Sequence, residues 1–337
     1  MTGTTMVYGP PGSGKTSLVV RAASRTKGKV LWVSTNEDED FFKKLLDRLN
    51  TTYTKFKFFN FPRTFHEDIA KYVLEHVDEY DALVIDSING MAGPETDIAD
   101  FFHGTFYQVA RRMPIIVVAE TPSRRLQYVV DHVVKVWYKI TPIGHIIRYA
   151  QLIKSRKRPP SPRYIFDIVE GVGLPWILPV GLPSSSAAQD ITLEDEMFKI
   201  TTFKGAVVGM FSANESLLAQ KVQELLNDER SYLVVLSPFS IAKRLVVPPE
   251  RAVVATTFNI LMKFVADLMR GKVAPRYIVM TGLVPLENVA PNDLPDYLVV
   301  VGAMAQYAEL TVVADVADPE TIRRKQVYQA MNENVIL

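Results

Sequence analysis

The chain contains no cysteine among its 337 residues, so disulfide bonds, thiolate metal sites and thiol nucleophiles are excluded. It has no apolar run of about 18 residues and no basic segment leading into an apolar one at its start, so neither a membrane span nor a secretory signal is indicated. The formal net charge is only +1, which disfavours nucleic acid as the main partner on charge alone. We therefore expect a cytoplasmic protein whose chemistry depends on other side chains.

A segment rich in proline and serine, residues 181–190, separates two patterned halves of the sequence. A length of 337 residues, at about 150 residues per domain, also favours two domains, each large enough for its own core. The sequence therefore predicts one domain over residues 1–180, a linker over residues 181–190 and a second domain over residues 191–337.

In the first half, short β-branched and aromatic runs alternate with helical patterns. Near-continuous apolar strands spaced by helices indicate an α/β domain, with a mainly parallel sheet covered on both faces. The last three runs follow one another directly, which predicts antiparallel strands at the edge of the sheet. The predicted strands are residues 5–8, 30–34, 56–59, 82–86, 115–119, 133–140, 145–154 and 163–169, and the predicted helices are residues 15–25, 38–49, 65–77 and 98–112.

The second half repeats this order of elements. Lys15 aligns with Glu215, and Asp86 with Thr281, at offsets of 200 and 195 residues. Such similar offsets suggest a duplicated domain, although any two parallel α/β domains share this general pattern. The predicted strands are residues 206–210, 233–236, 252–255, 277–280 and 310–314, and the predicted helices are residues 215–226 and 257–269.

Residues 9–16, GPPGSGKT, match the P-loop pattern G-x-x-x-x-G-K-[ST] between a predicted strand and a predicted helix. In such a loop, backbone amides bind phosphate, the lysine reaches the β- and γ-phosphates, and the hydroxyl of Thr16 binds Mg²⁺. The alternative is a glycine-rich turn before an ordinary helix. The expected ATP-binding residues are Gly9, Gly12, Ser13, Gly14, Lys15, Thr16 and Ser17.

Asp86 ends the apolar run at residues 82–86. A strand of a parallel sheet delivers its last side chain to the carboxyl edge, where α/β folds bind ligands. Asp86 is therefore the second expected Mg²⁺ ligand beside Thr16.

Residues 9–20, 30–40 and 83–87 resemble the RecA/KaiC-like P-loop ATPases, especially the archaeal KaiC-like branch. The resemblance implies an Mg²⁺-dependent ATPase with a RecA-like fold. In that family, one or two glutamates after the second strand activate the attacking water. Here the first of these positions is Asn36, which cannot accept a proton, so Glu37 becomes the candidate base. The alternative is that Glu37 only begins a helix whose dipole favours acidic residues.

The family also carries a Lys-x-Arg pair on a late strand, which reaches the γ-phosphate of a neighbouring subunit. Lys154 and Arg156 match that pair, and the resemblance therefore implies a homo-oligomer in which they act in trans. Two alternatives stay open. The segment could be a solvated basic hairpin tip, or Arg156, Lys157 and Arg158 could contact nucleic acid.

The second half departs from the family at the residues that bind nucleotide. Glu215 stands where a P-loop has lysine, and Thr281 stands where the metal site has a carboxylate. A glutamate at that position repels phosphate, so we expect no ATP there but a docking surface for a protein partner.

The sequence thus predicts two tandem RecA-like domains with mainly parallel sheets, the second degenerate. The first would hydrolyse ATP to drive or switch an assembly. The alternative is a nucleotide-sensing regulatory module with little turnover.

Overall fold

The computed structural model describes residues 3–60, 66–91, 97–179, 181–184 and 202–337, and it is an α/β structure with two sheets. The chain divides into two compact units. The first unit comprises Met1–Lys139 and Arg148–Trp176, and the second comprises Ile140–Ile147 and Ile177–Leu337. Among the described residues, no helix is both long enough and apolar enough to cross a membrane.

The first sheet, counted over the described ranges, has nine strands in the order β3-β2-β4-β5-β1-β6-β7-β8-β9. Its strands are β1 (Thr4–Tyr8), β2 (Val30–Ser34), β3 (Phe56–Asn60), β4 (Ala82–Asp86), β5 (Ile115–Ala119), β6 (His132–Ile140), β7 (Ile146–Ser155), β8 (Tyr164–Phe166) and β9 (Trp176–Ile177). Its helices are α1 (Lys15–Ala23), α2 (Glu39–Arg48), α3 (His66–Glu75), α4 (Ile98–Ala110) and α5 (Arg124–Val129).

The strands from β3 to β6 are parallel to their neighbours, and β7 and β8 are antiparallel. Adjacent residues of one strand, such as Met6 and Val7, belong to different cores because successive side chains point to opposite faces. Phe102 and Phe106 of α4 pack on one face of the sheet, and Phe42 of α2 packs on the other. The expected α/β class and the mainly parallel sheet are therefore confirmed.

The second sheet has six strands within the described residues, in the order β12-β11-β13-β14-β10-β15, and all its pairings are parallel. Its strands are β10 (Ala206–Ser212), β11 (Ser231–Val235), β12 (Ala252–Val254), β13 (Tyr277–Thr281), β14 (Leu310–Val316) and β15 (Glu333–Ile336). Its helices are α6 (Glu215–Leu226), α7 (Phe258–Met269), α8 (Leu283–Val289), α9 (Leu294–Ala305), α10 (Pro319–Ile322) and α11 (Gln326–Ala330).

The two sheets place their strands in the same spatial order. If β1 to β6 are matched in chain order with β10 to β15, the second sheet reproduces the arrangement β3-β2-β4-β5-β1-β6. One hydrogen bond shows the equivalence in detail. Thr35 donates its amide to the carbonyl of Asp86 at 2.9 Å, and Leu236 donates its amide to that of Thr281 at 2.9 Å. Asp86 and Thr281 therefore hold the same place in their sheets.

The units differ in two respects from the expected domains 1–180 and 191–337, the first being that the main segment of the second unit begins at Ile177. The turn between β6 and β7, residues 140–147, belongs to the second unit. His145 in this turn is buried, donates from Nε2 to the carbonyl of Ala255 at 3.0 Å and accepts at Nδ1 from the hydroxyl of Tyr297 at 2.7 Å. These partners are more than 100 residues away, so no local pattern predicts them. Of the linker, residues 185–190 lie outside the described residues.

Candidate functional site

The loop between β1 and α1 has the backbone that a P-loop requires. Gly9 packs directly against β6, because a Cβ atom at this position would lie 1.8 Å from the carbonyl oxygen of Val136. Gly12 and Gly14 have positive φ angles of 75° and 92°, which residues with a Cβ rarely adopt. Gly9 is thus required because β6 lies too close for a side chain, and Gly12 and Gly14 are required because of their backbone conformation.

The amino end of α1 opens onto this loop. Gly14 is the N-cap residue that precedes the helix, and no side chain of the described residues caps it, whereas α2 and α4 are capped by Asp38 and Asp97. The first amides of a helix have no intrahelical partner, so those of α1 are available to an anion. Ser13 is fully buried, and its hydroxyl has no hydrogen-bond partner among the described residues. Ser17, in the first turn of α1, is also buried.

Lys15 extends back across the loop that precedes it. Its ammonium donates to the carbonyl of Pro10 at 2.9 Å, and the residue is only 9% exposed. Burial lowers the pKa of Lys15, and the nearby carboxylates of Asp86 and Glu120 act in the opposite direction. A buried ammonium beside glycine-rich backbone is an arrangement suited to a phosphate group.

Thr16 and Asp86 meet at the carboxyl edge of the sheet, as the sequence analysis expects. Their side chains are hydrogen-bonded to each other, and this bond and Lys15 lower the pKa of Asp86. Burial outweighs both and raises that pKa to about 6. A hydroxyl and one carboxylate are hard oxygen donors, and Mg²⁺ in nucleotide sites uses one or two carboxylates together with phosphates and water. The two side chains therefore fit an Mg²⁺ ion held jointly with a nucleotide.

Glu37 lies close to Asp86 beyond the end of β2. Its amide donates to the hydroxyl of Ser34 at 2.9 Å, which fixes the turn that carries it. Burial is the main cause that raises the pKa of Glu37 to about 7, and the charges of Asp86 and Asp38 add to it. Asn36, the preceding residue, is exposed, and its amide donates to the hydroxyl of Ser87 at 3.4 Å.

The two acids after Glu37 have structural roles. Asp38 caps α2 by accepting a hydrogen bond from the amide of Phe41 at 2.8 Å. Glu39 pairs with Lys43 at 2.8 Å and accepts from the hydroxyl of Tyr53 at 2.7 Å. Protonation of Asp38 would weaken the cap of α2, and protonation of Glu39 would break its ion pair with Lys43. Glu37 has neither of these roles, which favours it as the base.

Glu120, directly after β5, is the second carboxylate that acts on Lys15, after Asp86. Its negative charge raises the pKa of Asp86, in the same direction as burial, and it also raises the pKa of Lys15, against the effect of burial. Its backbone amide donates a hydrogen bond to the side-chain oxygen of Asn89 at 2.9 Å. The sequence offers no motif that places Asn89 here, because the contact joins two loops 31 residues apart.

Lys154 and Arg156 are brought together, but away from the P-loop. β6 runs parallel to β1, with His132 opposite Thr5, and His132 is hydrogen-bonded to Ser155 at 2.8 Å. The end of β7 therefore lies beside the start of β1, whereas the P-loop follows the end of β1. Within one chain, Lys154 and Arg156 cannot complete the site that Lys15 begins.

Both side chains have partners inside the first unit. The ammonium of Lys154 donates to the carbonyls of Gln127, Tyr128 (3.2 Å) and Val130 (2.8 Å), where α5 ends. Arg156 forms an ion pair with Asp131 at 3.3 Å. A role on a neighbour's phosphate would require Lys154 to exchange these partners, whereas Arg156 has N–H donors that the one carboxylate does not occupy.

The corresponding edge of the second unit is built differently. β10 continues through Ser212 and α6 begins at Glu215, so two residues connect them where the first unit has six. Asn214 caps α6 by accepting from the amides of Ser216 and Leu217, each at 3.1 Å. Glu215 pairs with Arg244 at 2.9 Å. The amides that α1 leaves open are therefore occupied by a side chain in α6.

Asp315 in the second unit is a buried carboxylate that the sequence analysis missed. It accepts from the amide of Gly282 at 2.6 Å and from that of Val284 at 2.9 Å, at the start of α8. Burial raises its pKa to about 7, against these hydrogen bonds, which lower it. An acid that continues an apolar strand was the only signal in the sequence.

No protein-family model matches the chain, and no curated protein is significantly similar to it.

Proposed function

We propose that the first unit is an Mg²⁺-dependent, ATP-binding RecA/KaiC-like domain that hydrolyses ATP, and that the second unit is a degenerate copy without a nucleotide. The observation that carries the proposal is the conjunction of the glycine loop, the uncapped amino end of α1 and the Thr16–Asp86 pair beside buried Lys15. The common strand order of the two sheets supports the duplication. The nucleotide cycle would drive or switch an assembly through a partner bound by the second unit.

The residues would divide the work as follows. Amides of residues 12–16 bind the phosphates, and Lys15 compensates the charge that develops on them. Mg²⁺, when bound by Thr16, Asp86 and phosphate oxygens, supplies further neutralisation of that charge. Glu37 accepts the proton of the attacking water, which is a role suited to a carboxylate with a pKa of about 7.

The alternative function is a nucleotide sensor with little turnover. Asn36 favours it, because an exposed amide at the first family position can orient water but cannot accept a proton. Turnover of Mg·ATP by the purified chain, alone and with candidate partners, separates an ATPase from a sensor. A sensor would bind ATP with the same stoichiometry and show no rate above that of Glu37→Gln.

The number of binding sites tests the proposal directly. Isothermal titration with a slowly hydrolysed ATP analogue and Mg²⁺ should give one site per chain, because only the first unit has the open loop and the metal carboxylate. Two sites per chain would contradict the degenerate second unit. Omission of Mg²⁺ should weaken binding, since Asp86 would then face phosphate without a cation between them.

The proposed role of Lys154 and Arg156 is to contact the γ-phosphate of ATP bound by a neighbouring chain, and this role requires a homo-oligomer. Lys154→Ala should retain ATP binding and lose hydrolysis, and Glu37→Gln subunits should restore activity in mixtures, since some interfaces then contain every group. If Lys154→Ala instead lowers the melting temperature and leaves turnover per folded chain unchanged, its role is to hold the end of α5. Sedimentation with ATP gives the oligomeric state for both outcomes.

A further inference from the structure

The antiparallel edge of the first sheet is strongly basic. Between Asp131 and Asp167 the sequence has eight lysine and arginine residues and no acidic residue. Three of them, Arg156, Lys157 and Arg158, are consecutive and exposed in the loop that leaves β7. Such a concentration of one sign produces a local positive potential although the whole chain is nearly neutral.

A residue with an exposed aromatic ring has its backbone next to the start of this loop. Tyr128, in the last turn of α5, is 79% exposed. Its backbone is held next to the end of β7, because its carbonyl accepts from the ammonium of Lys154 at 3.2 Å. The loop is held at the same place, since the amide of Arg156 donates to the carbonyl of Asp131 at 3.0 Å. Hydrogen bonds to backbone carbonyls therefore hold both Tyr128 and Arg156 at the end of β7, within the first unit.

The ion pair with Asp131 leaves most of Arg156 at the surface. Its side chain is 60% exposed, and one carboxylate cannot occupy all five of its N–H donors. Arg156, Lys157 and Arg158 lie in a bend of the backbone, and the loop then turns back, because the amide of Ser161 donates to the carbonyl of Leu152 at 2.9 Å. The loop therefore presents three consecutive exposed cations at a turn.

We propose that the basic loop surface, defined as Tyr128 with Arg156, Lys157 and Arg158, binds single-stranded nucleic acid. The cations contact backbone phosphates, and a base stacks on the ring of Tyr128. This surface lies at the edge of the sheet opposite the P-loop of its own chain, so its ligand is distinct from the ATP that this chain would bind.

The aromatic ring favours nucleic acid over the other anions that could meet this surface. An acidic peptide would engage the cations but has no planar group that requires an exposed tyrosine. The γ-phosphate of a neighbouring chain would engage Lys154 and Arg156 and leave Tyr128, Lys157 and Arg158 unused. A duplex keeps its bases stacked inside, so a ring at the surface gains little from it.

The test is fluorescence anisotropy of the full chain with labelled oligothymidylate and oligouridylate of twenty nucleotides, without ATP. Three phosphate contacts predict a fall in affinity of roughly 20-fold from about 50 to about 200 mM salt. Tyr128→Ala should weaken binding by roughly 5- to 100-fold, and Tyr128→Phe should bind as the wild type does, because stacking needs the ring rather than the hydroxyl.

A matched pair of charge reversals tests the location. The double variant Lys157→Glu and Arg158→Glu should lose binding, whereas Lys27→Glu with Lys29→Glu, which changes exposed lysines of the same unit by the same charge, should retain it. All four residues are exposed, so thermal melts should coincide with that of the wild type.

Three results would overturn the proposal. These are failure of the wild type to bind either oligonucleotide at about 50 mM salt, equal losses from the two charge reversals, and equal affinity for polyglutamate or for a duplex of the same length. None of these results bears on ATP binding, which is measured by titration of the same variants with nucleotide.

Discussion

The two units arrange six parallel strands in the same order and use the carboxyl edge of the sheet in opposite ways. In the first unit, six residues between β1 and α1 leave the amino end of the helix open, and Lys15, Thr16 and Asp86 converge there. In the second unit, two residues connect β10 to α6, and Asn214 caps the helix. The first edge leaves the amino end of its helix without a side-chain cap, and the second caps its own helix.

The same contrast holds for the acids of the two units. Glu120 and Asp315 are each the sixth residue counted from the start of the equivalent strands β5 and β14. Glu120 is exposed near Lys15, whereas Asp315 is buried and accepts from the amides of α8. Thr35 and Leu236 are equivalent because their amides make the same hydrogen bond, and Glu37 and Pro238 each follow two residues later. Glu37 therefore corresponds to Pro238 in the second unit. The difference teaches that duplication of a sheet does not duplicate its chemistry.

The largest expected effect concerns Glu37, the proposed base, at whose equivalent position the second unit has Pro238. Glu37→Gln should bind ATP normally and hydrolyse it about 10² to 10⁴ times more slowly, because it removes a proton acceptor. For the wild type, kcat/KM should rise with pH and level off above about 7, since Glu37 must be deprotonated to act and its pKa is about 7.

Steady-state kinetics between pH 5.5 and pH 9 measures the loss of rate and its pH dependence, because this range extends to both sides of the Glu37 pKa of about 7. Asp38→Asn and Glu39→Gln are the matched controls, and either one slowing turnover more than Glu37→Gln would show that another carboxylate is the base. The residual rate of Glu37→Gln should not rise through pH 7.

The next effect compares Lys15 with Glu215, the first residues of α1 and α6. Lys15→Ala should weaken ATP binding by about 2–5 kcal/mol, because a buried cation no longer meets the phosphates. Glu215→Lys should leave the number of sites at one, since Asn214 still caps α6. Titration calorimetry measures both. Unchanged affinity in folded Lys15→Ala, or a second site in Glu215→Lys, would break the comparison between the units.

The smallest effect compares Asp315 with Glu120. Asp315→Ala should lower the free energy of unfolding by about 1–3 kcal/mol, because the amides of Gly282 and Val284 lose their acceptor. Glu120→Ala should leave stability within about 0.5 kcal/mol, since its side chain is exposed. Urea denaturation measures both variants. Equal stabilities would show that Asp315 does not hold the start of α8.

Much of the fold could be predicted because its signals are local. The strands 30–34, 82–86 and 115–119 have the predicted bounds, since each is a short apolar run between polar segments. α8 and α9 were not predicted, because Pro285 and Pro295 interrupt their helical pattern near the start. β15 is too short and too polar to be recognised without its partner β10.

The sequence by itself determined the two patterned halves, the glycine loop ending in Lys15 and Thr16, and the carboxylate of Asp86 at a strand end. These features depend on backbone conformation and side-chain order over a few residues. Only the tertiary structure decided that Glu37 lies beside Asp86 while Asp38 caps a helix, that carbonyls of residues 127–130 hold Lys154, and that Asp315 turns inward. The physical reason is that burial and hydrogen-bond partners set the role of an ionisable group, and both come from residues distant in the chain.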